Sequence, residues 1–322
     1  MSYNLNEDQK KVLAFSQNVI SQVRKVIIGK DEIIVKVLLC ILSGGHILIE
    51  DIPGVGKTTL ALALSKALSL DYKRMQFTPD VLPSDVTGFS VLDKDTHEFV
   101  YKPGAAMTNL FLADEINRTS SKTQSALLEV MEEGKVTVDG VTHRVPDPYI
   151  VIATQNPMGS IGTQMLPESQ LDRFLVRLTM GYPSFDNEVN MLRSKNTNIS
   201  TDAVQGVATV NEIILAKKTV DEIYVSDEVL SYIAALANAT RKNSYIKLGL
   251  SPRGSIALLK ISKATALLKG RDYVIPDDVL YCFEDVARHR LVFDSKAKIN
   301  GISQQQIIKN VISSVQVPRI NK

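Results

Sequence analysis

The amino-acid sequence predicts an α/β fold, in which a mostly parallel sheet with helices on both faces is followed by a smaller helical part. Up to about residue 196, short β-type runs alternate with helical patterns, which is typical of such sheets. After that point the strand signals fade and helical patterns take over. The chain has 322 residues and is 44% hydrophobic, which is enough apolar material for one large core or two ordinary ones. We expect an α/β domain over residues 1–195 and a small, all-helical domain over 196–322.

The predicted elements follow from the spacing of apolar residues. Near the N-terminus apolar side chains recur every three to four positions, which indicates amphipathic helices at 6–28 and 31–43. The β-type runs of the sheet are 46–50, 72–77, 109–113, 149–154 and 175–180. Helical patterns separate several of these runs, at 57–69 and 120–133. In the second domain the expected helices are 226–242, 253–269 and 276–290.

Two pieces interrupt this alternation and are predicted to be inserted β-hairpins. They are residues 89–101 (FSVLDKDTHEFVY) and 135–145 (KVTVDGVTHRV). In both, alternating β-forming residues flank a turn, and Asp139-Gly140 is the turn of the second.

Charge and cysteine content limit the classes of function. A net charge of +2 and a pI near 8.3 are too close to balance to indicate a nucleic-acid groove, so nucleic-acid binding is not expected. Cys40 and Cys282 form no paired motif, which favours a reducing, cytoplasmic setting over a disulfide framework or a zinc site. The N-terminus lacks a basic start followed by an apolar core, and apolar runs are broken well short of a bilayer span. We therefore expect neither export nor membrane insertion.

The stretch LSGGHILIEDIPGVGKTT contains two candidate phosphate-binding signatures. Its first five residues resemble the LSGGQ signature of ABC transporters, but that signature lies well after the phosphate loop, whereas here it precedes it. We interpret Gly44-Gly45 instead as the end of the preceding helix, with glycine in the left-handed conformation.

The second signature has the context of a Walker A loop, since a strand, a tight loop and a helix follow one another. Free N–H donors and the dipole at the helix N-terminus both favour a bound phosphate chain. Lys57 would reach the β- and γ-phosphates, and the Thr58 hydroxyl would ligate Mg²⁺. Asp51 stands where the first glycine is usual, and aspartate is among the few residues that tolerate the left-handed backbone angles available to glycine. The expected nucleotide-binding residues are Pro53, Gly54, Val55, Gly56, Lys57, Thr58 and Thr59.

A second acidic site is predicted after the apolar run NLFLA. Asp114 would hold the Mg²⁺ shell, and Glu115 would act as general base on the attacking water. Alone, two acids at the end of a strand are weak support, because any buried strand can end this way. Their position after a phosphate loop makes the prediction strong.

Three further residues are candidates for contact with the nucleotide. Asn156 follows the strand YIVIAT and could contact the γ-phosphate, although Asn-Pro is also a common turn. Arg173 follows a short helical segment and could equally form a surface pair with an acid. Arg253 lies in the first turn of a helix that opens with Pro252, and it could reach back to the nucleotide from the second domain.

With these pieces in this order, the chain resembles AAA+ ATPases of the MoxR family over nearly its whole length. The resemblance is carried by EDIPGVGKTTLA, FLADEINRTSSKTQSALLEVMEEGKVTVDG, VIATQNP, LPESQLDRF and LSPRG. The family pattern EDxPGxGKT also includes Asp51. Within this resemblance 89–101 corresponds to the helix-2 insert and 135–145 to the hairpin before sensor 1, both of which project towards the central pore in related rings.

The resemblance also implies a role for each candidate residue. Asn156 would be sensor 1, Arg253 sensor 2, and Arg173 the arginine finger that acts on a neighbouring subunit's ATP, with Arg118 and Arg177 as nearby alternatives. Ile28 and Gly29 match the segment that lines the adenine pocket.

The implied function is Mg²⁺-dependent ATP hydrolysis by a chaperone-like remodeller in a homo-oligomeric, hexameric ring. Family members usually work with a partner that carries a von Willebrand factor A domain, and they activate, assemble or insert cofactors into a client protein. ATP and Mg²⁺ are the expected cofactors. A ring is expected because an arginine supplied by a neighbour can contribute about 10³ to 10⁵ in rate, so an isolated subunit should hydrolyse ATP poorly. Three alternatives stay open from the residues alone: a DNA-associated AAA+ motor, a P-loop kinase for a small metabolite, and a nucleotide-gated scaffold.

Overall fold

The computed structural model describes residues 5–156, 165–196 and 201–318. In chain order, the strands are β1 (Ile47–Glu50), β2 (Tyr72–Gln76), β3 (Gly88–Leu92), β4 (Phe99–Pro103), β5 (Leu110–Asp114), β6 (Lys135–Val138), β7 (Val141–Arg144), β8 (Ile150–Gln155), β9 (Val176–Leu178), β10 (Ile246–Leu248) and β11 (Val292–Phe293). The helices are α1 (Glu7–Arg24), α2 (Asp31–Leu42), α3 (Lys57–Ala67), α4 (Pro83–Thr87), α5 (Ser121–Glu133), α6 (Glu168–Leu171), α7 (Phe185–Asn196), α8 (Val210–Asp221), α9 (Asp227–Lys242), α10 (Pro252–Leu268), α11 (Pro276–Ala287), α12 (Ser295–Ile299) and α13 (Gln304–Ser314).

The central sheet has five strands that are all parallel, in agreement with the predicted mostly parallel sheet, and their order is β2, β5, β8, β1, β9. Strands β1, β5 and β8 are buried along their whole length, which explains their continuous apolar runs. Because β8 lies between β1 and β5, the residues that follow these three strands meet at one edge of the sheet.

Alternation along each strand divides its side chains between two apolar cores. On β1 and β5, Ile47, Ile49 and Leu112 belong to one core, whereas Leu48 and Phe111 belong to the other. The first core contains α1, α2, α3 and the later helices α8 to α11, and the second lies under α5. Since one core spans the α/β part and the later helices, the domain boundary near residue 195 stays a prediction.

Both predicted hairpins are present. Strands β3 and β4 pair antiparallel, as do β6 and β7, whose turn has positive φ at Asp139 (51°) and Gly140 (79°). The two hairpins contact each other where the rings of Tyr101 and His143 stack with centroids 3.8 Å apart.

The glycine pair after α2 ends that helix, as predicted. Gly44 has φ +67°, and the N–H groups of Gly44 and Gly45 donate to the carbonyl oxygens of Ile41 and Cys40. These bonds satisfy helix carbonyls, so the resemblance of 42–46 to an ABC signature is coincidental.

The second part contains the three predicted helices, here α9, α10 and α11, with ends that shift by a few residues. It also contains features that the sequence analysis did not predict: α8, α12, α13 and a two-stranded sheet of β10 and β11, so this part is not all-helical. At the N-terminus α1 ends at Arg24 rather than at 28, because the chain turns before Gly29, whose φ is +70°. In the part of the chain that the structure describes, each helix is too short or too polar to cross a bilayer.

Candidate functional site

The phosphate loop joins β1 to α3 in the geometry that the sequence predicts. Gly54 and Gly56 have φ of +83° and +96°, a region that favours glycine, and Lys57 is the first residue of α3. Gly56 is the N-cap and supplies no side-chain bond, so the first N–H groups of the helix point into the loop without an internal cap. The loop is therefore built to receive an anion.

Asp51 does not adopt left-handed backbone angles. It is absent from the described non-glycine residues with positive φ, which are Ser69, His97, Glu115 and Asp139. Its side chain is buried instead, and its carboxylate accepts hydrogen bonds from the N–H of Gly181 (2.6 Å) and of Ile52 (2.8 Å). Asp51 thus ties the loop to the chain that follows β9, a contact that glycine could not make.

We expect Asp51→Gly, which restores the general Walker A consensus, to lower the free energy of unfolding by about 2–3 kcal/mol, because two buried bonds to a carboxylate are lost. Urea denaturation measures this change. Asp139→Gly is the matched control: this aspartate is exposed and has φ 51°, so the change there should stay within about 0.5 kcal/mol. Equal stability of the two variants would contradict the role of Asp51.

Lys57 lies among the predicted carboxylates. Its Nζ donates to the backbone oxygen of Asp51 at 2.7 Å. Burial lowers the pKa of Lys57, and the charges of Asp51, Asp114 and Glu115 oppose this shift. The structure therefore brings the lysine of the loop within electrostatic reach of both residues that end β5.

Asp114 is fixed by two neighbours. Its Oδ1 accepts the hydroxyl of Thr154 at 2.6 Å, and its Oδ2 accepts Nη2 of Arg74 at 2.7 Å. Arg74 was not predicted from the sequence. Gln76 pairs in register with Asp114, and Arg74 lies two residues earlier on the same face of β2, so strand alternation places it near this carboxylate.

Glu115 follows directly with left-handed backbone angles (φ 56°, ψ 48°), which turn its side chain away from the strand direction. Its Oε2 accepts Nε2 of Gln76 at 2.7 Å and Nη1 of Arg118 at 2.8 Å. Its N–H donates to Thr154 Oγ1. Arg118, an alternative arginine finger, is thus engaged by the predicted base of its own subunit.

Asn156 lies where the prediction requires it, immediately after β8. Its backbone oxygen accepts Nδ2 of Asn117 at 3.2 Å, which links the ends of β8 and β5. The alternative interpretation, an Asn-Pro turn, involves Pro157, which lies outside the described residues.

A cavity of about 500 Å³ adjoins the phosphate loop. Its walls are Lys25, Val26, Ile27, Ile28, Lys30, Pro53, Gly54, Val55, Gly56, Thr59, Met180, Tyr182, Pro183, Glu188, Met191 and Thr201. Ile28 and most of the predicted loop therefore share one mainly apolar space suited to a base and sugar. Gly29 contacts α7 instead: a Cβ there would lie 2.1 Å from Asn187 Nδ2. Thr58, the second residue of α3, is not among the described residues that line the cavity.

Arg173 and Arg253 meet each other rather than the cavity. Glu132 joins them, since Arg173 Nε donates to its Oε2 at 2.7 Å and Arg253 Nη2 to its Oε1 at 2.9 Å. Hydrogen bonding to Arg173, and then to Arg253, lowers the pKa of Glu132. Neither arginine is among the described residues that line the cavity. Glu132 holds the Arg253 guanidinium apart from the described cavity walls, and the contact of Arg253 with a nucleotide stays a prediction.

Arg177, the other alternative finger, is buried in its own sheet. It forms an ion pair with Glu50, whose other oxygen accepts Nε2 of Gln155 at 3.0 Å. Burial lowers the pKa of Arg177, and Glu50 opposes that shift. A side chain that is only 16% exposed and already paired is poorly placed to contact another subunit.

Comparisons with known proteins agree with this geometry. Residues 46–176 match the ATPase family associated with various cellular activities (AAA), and residues 238–311 match the AAA lid domain. The chain is 48% identical to the uncharacterized protein YeaC of Bacillus subtilis, with 93% of each chain covered. It is 35% identical to chaperone MoxR1 of Mycobacterium tuberculosis, with 95% of this chain and 83% of the relative covered.

A solved structure from Cytophaga hutchinsonii, described as a "putative ATPase", superposes with a TM-score of 0.90 at 36% identity, and the match covers 97% of this chain and 98% of that one. The resemblance inferred from the motifs is thereby confirmed, together with the parallel core and the helical lid. The phosphate loop, the paired acids after β5 and this near full-length similarity show that the chain belongs to the MoxR family of AAA+ ATPases and is an ATP-hydrolysing enzyme.

Proposed function

We propose that the chain is an ATP-driven, chaperone-like remodeller that works with Mg²⁺ as a homo-oligomeric, hexameric ring. The observation that carries this proposal is the separation of two groups of predicted residues. Lys57, Asp114 and Glu115 gather at the phosphate loop, whereas Arg173 and Arg253 gather at Glu132, outside the cavity. A second subunit is the simplest way to bring the two groups together.

The residues present fit ATP and Mg²⁺. The loop offers uncapped N–H groups beside a cavity large enough for a nucleoside, and Asp114 and Thr58 offer the oxygen ligands that Mg²⁺ prefers. Asp114 Oδ1 accepts one hydrogen bond, from Thr154, whereas Oδ2 accepts two, from Arg74, so Oδ1 keeps a lone pair for a cation. Bound Mg²⁺ would neutralise charge on the phosphates.

The side chains of the site suggest a division of roles. Lys57 would bind the β- and γ-phosphates, and Glu115 Oε would take the proton from the attacking water. Asn156, at the tip of the strand between them, would orient that water or the γ-phosphate. Gln76 and Arg118 would hold Glu115 in place until its carboxylate turns to the substrate.

The two arginines would act on the ATP of the adjoining subunit. Arg173 is the better candidate for the finger because it lies at the surface beside Arg253, whereas Arg118 is held by the predicted base Glu115 and Arg177 is buried against Glu50. The family resemblance implies that Arg253 contacts the ATP of its own subunit. Because Glu132 binds both Arg253 and Arg173, we propose instead that Arg253 acts beside Arg173 on the ATP of the adjoining subunit.

The client-directed role rests on the relatives. Similar proteins are named chaperone MoxR1 and protein MoxR, and the family resemblance suggests a partner with a von Willebrand factor A domain. Movement of the lid would then drive the change in the client, which is its activation, its assembly or the insertion of a cofactor into it.

The ring proposal is tested by the dependence of ATPase activity on protein concentration. We expect turnover per subunit to rise steeply over the range in which light scattering shows assembly, because an isolated subunit lacks the neighbour's arginine. Turnover per subunit that stays constant while no assembly forms would favour the small-metabolite kinase. DNA affinity that falls steeply with salt would favour the DNA motor.

A further inference from the structure

Glu132 lies in the last turn of α5, and each of its carboxylate oxygens holds a different arginine. Arg173 comes from the segment before β9, and Arg253 comes from the first turn of α10. The three side chains remain partly open, with Glu132 36% exposed. This cluster is thus a surface site assembled from three separate parts of the chain.

The atoms used in these bonds leave the arginines able to bind a second anion. Arg173 donates through Nε to Glu132, so among the described residues both of its terminal nitrogens remain available for a bidentate contact with a phosphate. Arg253 uses only Nη2 in its bond to Glu132. The carboxylate between the two guanidinium groups also offsets the repulsion of two like charges held close together.

The backbone that carries the arginines is fixed independently of Glu132. Arg290 donates from Nε to Asp172 Oδ1 at 2.6 Å and from Nη2 to the backbone oxygen of Phe174 at 2.6 Å. Ser251, the N-cap of α10, donates to Asp172 Oδ2 at 3.2 Å. A change at Glu132 should therefore release the two arginine side chains without unfolding the segments that carry them.

We propose that Glu132 is a positioning residue that holds Arg173 and Arg253 as one cationic pair aimed at the γ-phosphate in the adjoining subunit. This proposal rests on the proposed action of the arginines between subunits. Glu132 itself contacts no substrate. It acts only by fixing the direction of the two guanidinium groups and by keeping them together.

The test is Glu132→Gln in the assembled ring. The amide oxygen can accept from one arginine only, and the amide nitrogen opposes the other, so the pair should separate. We expect kcat to fall roughly 10- to 100-fold, the range that a small misplacement of a catalytic group costs. KM for ATP should change little, because the phosphate loop and its cavity are untouched.

Glu133→Gln is the matched control. It removes the same charge from the next residue of α5, which is paired with Lys135 rather than with either arginine. We expect this control to keep wild-type turnover and assembly. Equal kcat for the Glu132 and Glu133 variants would overturn the proposal.

A double-mutant cycle with Arg253→Ala separates positioning from a general structural role. In that background Glu132→Gln should lower kcat by a clearly smaller factor than in the wild type, since half of the pair is already missing. An undiminished factor would show that Glu132 acts in another way and would overturn the proposal. If Arg173→Ala and Arg253→Ala leave turnover unchanged, the arginine assignment itself fails, a result distinct from failure at Glu132.

Discussion

Replacement of Glu115 by glutamine should abolish ATP turnover while ATP binding is retained. Glutamine keeps the shape of the side chain and can still accept hydrogen bonds from Gln76 and Arg118, but it cannot take a proton from water. General base catalysis typically contributes 10²- to 10⁴-fold, so we expect a fall of about 10³-fold in kcat. Steady-state phosphate release and equilibrium nucleotide binding measure the two quantities separately.

The matched control is Glu129→Gln, an exposed glutamate on α5 that lies outside the predicted site. It should show wild-type turnover. Wild-type turnover by the Glu115 variant would remove Glu115 as the base. Loss of ATP binding together with turnover would mean that Glu115 mainly supports the site, through its bonds to Gln76 and Arg118.

The Glu115→Gln variant has a second use, because it should hold ATP without release of the γ-phosphate. A ring trapped in this state would keep its client and any partner bound for longer than a cycling ring. Pull-down with the trapped ring, followed by sizing of the complex, would then identify client, partner and stoichiometry together.

Arg173→Ala should lower turnover by about 10³-fold or more, the range reported for arginine fingers, with ATP binding again retained. The loss alone does not show which subunit's ATP the arginine serves. A ring assembled from two different inactive variants shows whether Arg173 acts on the ATP of its own subunit or on that of a neighbour. In a ring that contains Arg173→Ala and Glu115→Gln subunits, an intact Glu115 of one can face an intact Arg173 of the next.

We therefore expect the mixture to hydrolyse ATP well above the rate of either variant alone. The control is a mixture of Lys57→Ala and Glu115→Gln subunits. Lys57 and Glu115 belong to the same site of the same subunit, where their charges interact, so this mixture should stay inactive. Absence of recovery in the first mixture, despite assembly of mixed rings, would contradict action of Arg173 between subunits.

Local patterns were sufficient for the elements that carry the nucleotide site. The strands of the core and the helices α3 and α5 begin and end within a few residues of their predicted bounds, because their signals are short-range: buried strands, caps and glycines. The same holds for Gly44, whose positive φ ends α2. Helices α8 and α13 were missed, although Thr209 and Ser303 cap them and buried apolar residues recur along both.

Asp51 shows where a local rule is insufficient. A position that is usually glycine suggests left-handed backbone angles, yet the residue serves through its side chain, which accepts the N–H of Gly181. That partner lies far along the chain. Only the pairing of β1 with β9 brings the two together, so the contact could not be predicted from spacing.

By itself, the sequence determined the α/β core, the two hairpins, the phosphate loop and the acids after β5, because each depends on residues that are close together in the chain. Only the tertiary structure decided which acids pair with the arginines. Arg118 pairs with Glu115 and Arg177 with Glu50, whereas Arg173 and Arg253 share Glu132. The physical reason is that the partner of a charged side chain is set by distances between remote segments, which local residue patterns do not encode.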